Sequence, residues 1–97
     1  MATEVVLARP PVRIAASVTS VTLAAAYAYR AGLHIFNDSS SVLYVKYGPS
    51  ATTKDYALQL LPGELWTMPD DMVYDGIVTG VWGSANGAAQ VTELFES

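Results

Sequence analysis

The chain predicts a small antiparallel β-sandwich, Ig-like or jelly-roll-like, of about seven or eight strands with an extended N-terminal arm. Two observations carry this. Short apolar runs alternate with period two: Leu33 and Ile35 share one face of a strand, and Leu43, Val45 and Tyr47 share one face of the next. Turn residues punctuate these runs every ~8–12 residues, as in short-stranded all-β domains. The 97 residues fit one domain. Residues 1–19 read as an N-terminal arm or swapped edge strand, and residues 20–97 as the β-sandwich domain.

Along the chain, Glu4 to Ala8 has the makings of a short strand. Pro10-Pro11 then fixes a polyproline-like extension, and Val12 and Ile14 alternate with Arg13. No turn folds this segment back as a hairpin. Two readings stay open for it: an edge strand interrupted by prolines, or an arm that docks on a neighbouring subunit. Ser20 to Ala24 alternates as a strand. Ala24 to Arg30 is alanine-rich, which favours helix, but is too short for a stable helix of its own and reads as a crossing. Arg30 to Asp38 and Leu43 to Tyr47 are strands separated by Asn37-Asp38-Ser39-Ser40-Ser41, whose short polar side chains favour turns. Gly48-Pro49 ends the second, since proline has no N–H for a ladder.

A polar loop over residues 49–54 precedes a strand from Asp55 to Leu61, with Tyr56, Leu58 and Leu60 on one face. Pro62-Gly63 is a turn signal, and Glu64 to Met68 is a short strand carrying Trp66. Pro69 to Asp75 is a loop. Gly76 to Trp82 is a strand with Gly80 at its middle, where glycine marks a bulge or a close backbone approach. Asn86-Gly87 is a type I′ hairpin signal, with Ala89 to Phe95 as the returning strand.

Composition narrows the function. There is no cysteine, which excludes disulfides and thiolate metal sites. No apolar run approaches the ~20 residues of a membrane helix. The N-terminus has no basic segment before its apolar residues, so it predicts no secretory signal and a protein made in the cytoplasm. The net charge is −4, and the five basic residues, Arg9, Arg13, Arg30, Lys46 and Lys54, are scattered. That argues against nucleic acid as a partner, since a binder concentrates its basic residues in a patch. Few charges beside 52% hydrophobic residues predict apolar surface covered by copies of the chain or by another protein.

Catalytic chemistry finds little material. His34 is the lone histidine. A triad around it needs an orienting acid and a nucleophile, and the nearby Asp38 and serines belong to an ordinary turn. Asp70, Asp71 and Asp75 do not follow the ligand order of a calcium loop and read as a solvated acidic loop. The sequence thus predicts no enzyme, no catalytic residue, no metal and no cofactor. Trp66, Trp82, Tyr44 and Tyr74 have the chemistry of a sugar platform, but in a chain this small the core or an interface is the better place for them. Tyr27 and Tyr29 read as packing residues.

Several motifs occur together: Arg30-x-Gly-Leu-x-Ile-x-Asn-Asp-Ser39, Leu43-Tyr-Val-Lys-Tyr-Gly48, Leu61-Pro-Gly63, Tyr74-x-Gly-x-Val-x-Gly-x-Trp82, Ser84-Ala-Asn-Gly-Ala88 and Val91-Thr-Glu-Leu94. In this combination residues 18–95 resemble small accessory virion proteins of tailed bacteriophages, of the head decoration (cement) kind. Many relatives carry a basic pair where this chain has Tyr29 and Arg30. The resemblance implies a non-enzymatic structural protein of the virion, assembled in the host cytoplasm. Its implied role is to bind the major capsid protein or another virion protein and to stabilise the shell. It implies a homo-oligomer, with a trimer favoured because such proteins commonly sit at local three-fold positions. The alternatives are a neck, tail or fibre component of the same particle, or a carbohydrate-binding module for host attachment. The partner-binding candidates are Val5, Val6, Leu7, Val12 and Ile14 in the arm, with Arg9 and Arg13 placed to pair with acidic groups of the shell.

Overall fold

The computed structural model describes residues 5–96. Among them are nine strands and no helix: β1 (Val6–Ala8), β2 (Val12–Ala15), β3 (Val21–Ala24), β4 (Arg30–Asp38), β5 (Leu43–Tyr47), β6 (Leu58–Leu60), β7 (Leu65–Thr67), β8 (Val78–Trp82) and β9 (Ala88–Glu96). They form two sheets. The first runs β1-β9-β4-β7, with β2 also on β9; the second runs β3-β8-β5-β6. Every pairing is antiparallel.

The alternation in β4 and β5 sets the core. Leu33 and Ile35 point inward from the first sheet, and Leu43 and Val45 from the second, all with no exposed surface. Ala89 and Val91 of β9 meet Leu23, Leu60, Val78 and Trp82 across the same core. Gly80 lies at a close approach: a Cβ there would stand 2.8 Å from the Leu23 Cδ1 and 3.0 Å from the Leu43 Cδ1.

The N-terminal segment pairs within its own chain. Val6, Leu7 and Ala8 lie opposite Glu96, Phe95 and Leu94, and Val12 to Ala15 lie opposite Val91 to Ala88. The two strands share one edge of β9 and are parted at Pro10-Pro11, where no N–H is available to the ladder. Glu4, the expected start of β1, lies outside the described residues. The strand count is nine rather than seven or eight, with β1 and β2 each registered on β9.

Two expectations are corrected. Asn86-Gly87 does not close a hairpin, because β8 belongs to the second sheet and β9 to the first. Both edges of β8 are taken by β3 and β5, and both edges of β9 by β4 and the N-terminal strands. A type I′ turn needs positive φ at both central residues, and here Gly87 alone has it, at 83°. The connection instead crosses from sheet to sheet, as the Asn37–Ser41 turn does between β4 and β5. The strand expected from Asp55 to Leu61 is reduced to Leu58–Leu60. Asp55 is drawn away by the Lys46 ammonium, 2.5 Å distant, and the Tyr56 ring packs on Tyr44 at 5.0 Å.

Candidate partner-binding surface

Alternation along the N-terminal strands decides what each side chain does. Val12 and Ile14 face the same way as their β9 partners Val91 and Ala89. Ile14 is half-buried and packs on the core. Val12 stays exposed beside a recess of about 170 Å³ that reaches Leu23, Ala25 and Val91. Val5, Val6 and Leu7 are all exposed, Val5 and Val6 to more than half of their surface. Four of the seven candidates therefore present apolar surface along one edge.

The two arginines behave otherwise. The Arg9 Nε donates to the Glu93 Oε1 at 3.0 Å, and its guanidinium lies over the rings of Tyr27 and Phe95, 4.7 and 5.0 Å from their centroids. Arg13 pairs with Asp38 at 2.8 Å. Both already have an acidic partner inside the chain, so the structure does not bring them to the edge as unpaired cations.

The charge that the sequence did not place is Arg30. Its side chain is fully buried at the start of β4. The Nε donates to the Glu93 Oε2 at 2.7 Å, one terminal nitrogen to the carbonyls of Tyr74 and Gly76, and the other to the carbonyl of Ala25. A buried cation survives only if paired and fully hydrogen-bonded, and these partners meet that need. They also fasten the crossing before β4 and the loop before β8 to the first sheet. Asn37 does the same at the other end of β4. Its amide nitrogen donates to the carbonyls of Ser41 and Leu60, and its oxygen accepts from the Ser39 hydroxyl and the Trp82 Nε1.

The four aromatics with platform chemistry do not form one group. Trp82 is in the core. Tyr44 pairs with Tyr56, while Trp66 and Tyr74 gather around Tyr47, with ring centroids 6.1 and 5.1 Å away. Tyr47 stays 39% exposed, and the partial desolvation of its phenol against these rings raises it above its ordinary pKa. Tyr27 packs edge-on against Tyr29 at 5.8 Å and Phe95 at 6.1 Å. His34 is half-buried between Thr67 and Thr92, on the face of β4 opposite Leu33 and Ile35. Asp70, Asp71 and Asp75 are exposed. Among the described residues no group of three or more histidines and acids is arranged to hold a metal ion.

The two sheets differ in their outward faces. On the second sheet, residues 48–57 fold over the outer side. Ala51 is buried and its N–H donates to the Ser20 hydroxyl, and the Thr79 hydroxyl donates to the Gly48 carbonyl. On the first sheet, the outward row carries Phe36, Leu94, Thr92, His34 and Gln90, all half-buried, with Leu65 and Val6 more than half exposed. Comparison with protein-family models, curated proteins and solved structures finds no match to this chain.

Proposed function

We propose that this chain is a non-enzymatic structural protein of a tailed-bacteriophage particle, a capsid decoration protein that binds the major capsid protein through its N-terminal edge and stabilises the shell. The observation that carries the reading is the row Val5, Val6, Leu7 and Val12, exposed along one edge of the first sheet. Edge strands are natural docking templates that proteins usually guard with charge or proline. Here the prolines fall between the two strands and leave Val5 to Ala8 unguarded. The strand order supports a finer description. With β1 and β2 taken as one interrupted strand, four-stranded sheets in the order 1-9-4-7 and 3-8-5-6 are the wrap of a jelly-roll sandwich, an architecture shared by viral capsid and lectin domains. Fold alone does not assign function, so the resemblance to virion proteins supplies the particle and the exposed edge supplies the contact.

Binding rests on the apolar residues, because Arg9 and Arg13 are committed to Glu93 and Asp38. A lattice adds many modest contacts through avidity. The test has two parts. Quantitative mass spectrometry of purified particles should give a copy number comparable to the major capsid protein. A ratio of one in tens or lower moves the chain to the neck, tail or fibres, and its absence ends the virion reading. Cosedimentation with empty shells should then be lost on Val5→Lys/Val6→Lys with the far-UV spectrum unchanged. Deleting residues 1–14 is the harsher variant, because it removes Ile14 from the core and uncovers the edge of β9.

A further inference from the structure

We propose that the outward face of the first sheet is where copies of this chain associate with one another. This deepens the homo-oligomer part of the reading above and stands apart from shell binding.

The face is defined by register. Its cross-strand rows are Ala8–Leu94–Gly32, Thr92–His34–Thr67 and Arg13–Gln90–Phe36–Leu65. The Leu94 side chain lies over Gly32, where a Cβ would stand 3.2 Å from its Cδ1, so the bare glycine position is filled and the surface is continuous. The side chains of this face run from half-buried to exposed, whereas residues 48–57 fold over the outer side of the second sheet.

Charge selects the occupant. The chain carries net charge −4, so two copies repel wherever their carboxylates meet. On this face the Arg13–Asp38 pair neutralises itself at 2.8 Å, and Glu96 sits at the far end of β9. Between them lie only apolar, hydroxyl, amide and imidazole groups. Asp70, Asp71 and Asp75 are on the loop after β7, not on these strands. The face is therefore one on which two copies meet without setting carboxylate rows against each other. It has no basic stripe for nucleic acid or an anionic membrane.

Size agrees. Four strand positions about 4.8 Å apart, up to nine residues long at about 3.3 Å each, give a flat footprint on the order of 500 Å² before side-chain relief. A standard interface buries about 800 Å² per partner. Relief from the Phe36, Leu65 and Leu94 side chains on this face adds to the flat area. Closed assemblies reuse one patch on every copy, and a self-neutral apolar patch suits that use.

The experiment is light scattering coupled to size exclusion on the full chain at about 100 µM, a concentration that populates any oligomer of micromolar affinity. The wild type should run as a dimer or trimer. Leu65→Lys/Thr92→Lys places charges on the exposed Leu65 and the half-buried, outward-facing Thr92, both clear of the core, so it should fold, and it should weaken association at least ~10-fold. Gln59→Lys, on the other sheet, should leave the mass unchanged. A monomeric wild type overturns the inference, as does an oligomer that survives the double variant or one that dissociates equally with Gln59→Lys. A monomer that still binds shells would sink this inference and leave the decoration reading standing.

Discussion

Replacing Arg30 by methionine keeps the length of the side chain and removes the charge and every donor. Four hydrogen bonds go with it: one to the Glu93 carboxylate and three to the carbonyls of Ala25, Tyr74 and Gly76, at 2.6–2.9 Å. Glu93 keeps Arg9 at 3.0 Å, so its charge is not orphaned. The three carbonyls are backbone groups that no second substitution can remove, and each unmet acceptor costs about 1–3 kcal/mol. Breaking a buried pair from one side costs about 3–5 kcal/mol, and the same range is expected here. A chain of this length is stable by roughly 5–15 kcal/mol, so the variant should fold but stand near its limit. With a urea m-value near 2 kcal/mol per molar, the midpoint should fall by about 2 M. Arg9→Met is the internal comparison. Its side chain is 47% exposed, and a surface pair with a cation–π contact is worth about 1 kcal/mol in all. If urea unfolding followed by circular dichroism gives the two variants the same midpoint, or shifts Arg30→Met by less than about 0.5 M, the clamp described above is not structural.

Three further expectations follow from single positions. Gly80→Ala brings a methyl to 2.8 Å from Leu23 and 3.0 Å from Leu43, and should cost about 1–3 kcal/mol in thermal unfolding; a neutral result would show that the core has slack there. Gly87→Ala combines a left-handed φ of 83° with a contact 2.5 Å from the Asp38 carbonyl, so it should be the more damaging alanine of the two, measured side by side. The Tyr47 phenol, 39% exposed, is raised by partial desolvation, so the folded state holds its proton longer than the unfolded state does. Its contribution is complete below pH ~10 and is lost as pH climbs through the folded value. Unfolding midpoints of Tyr47→Phe should therefore decline less than the wild type above pH ~10, and parallel curves would remove the assignment.

How much of this was legible depends on range along the chain. The faces of β4 and β5 follow from alternation, so Leu33, Ile35, Leu43 and Val45 were identifiable, as was the Pro62-Gly63 turn; Gly80 was marked for a bulge or a close backbone approach, and what approaches it are the side chains of Leu23 and Leu43. The sheet each strand joins was not. Asn86-Gly87 is a strong local signal for a hairpin, but local chemistry cannot register that both edges of β9 are occupied. The same limit governs the site. The apolar residues of the N-terminal edge stood out by composition. The fate of Arg9 and Arg13 depended on Glu93 and Asp38, far along the chain, and Arg30 meets Glu93 across 63 positions. Asp55 to Tyr56 alternates like a strand, yet its carboxylate and ring found better partners on Lys46 and Tyr44.

The central place of β9 has a consequence for how the protein is made. Of the nine strands it leaves the ribosome last, yet β1, β2 and β4 all pair with it. Apart from the β4–β7 pair, the first sheet cannot assemble until β9 has emerged, and β1 and β2 must wait with their apolar faces uncovered. Pairings between distant segments are slow to form and vulnerable to aggregation while they wait. A stop codon within β9 would remove pairings to β1, β2 and β4 together. Yield in a heterologous host should depend more on temperature and chaperone supply during translation than on the stability of the finished fold.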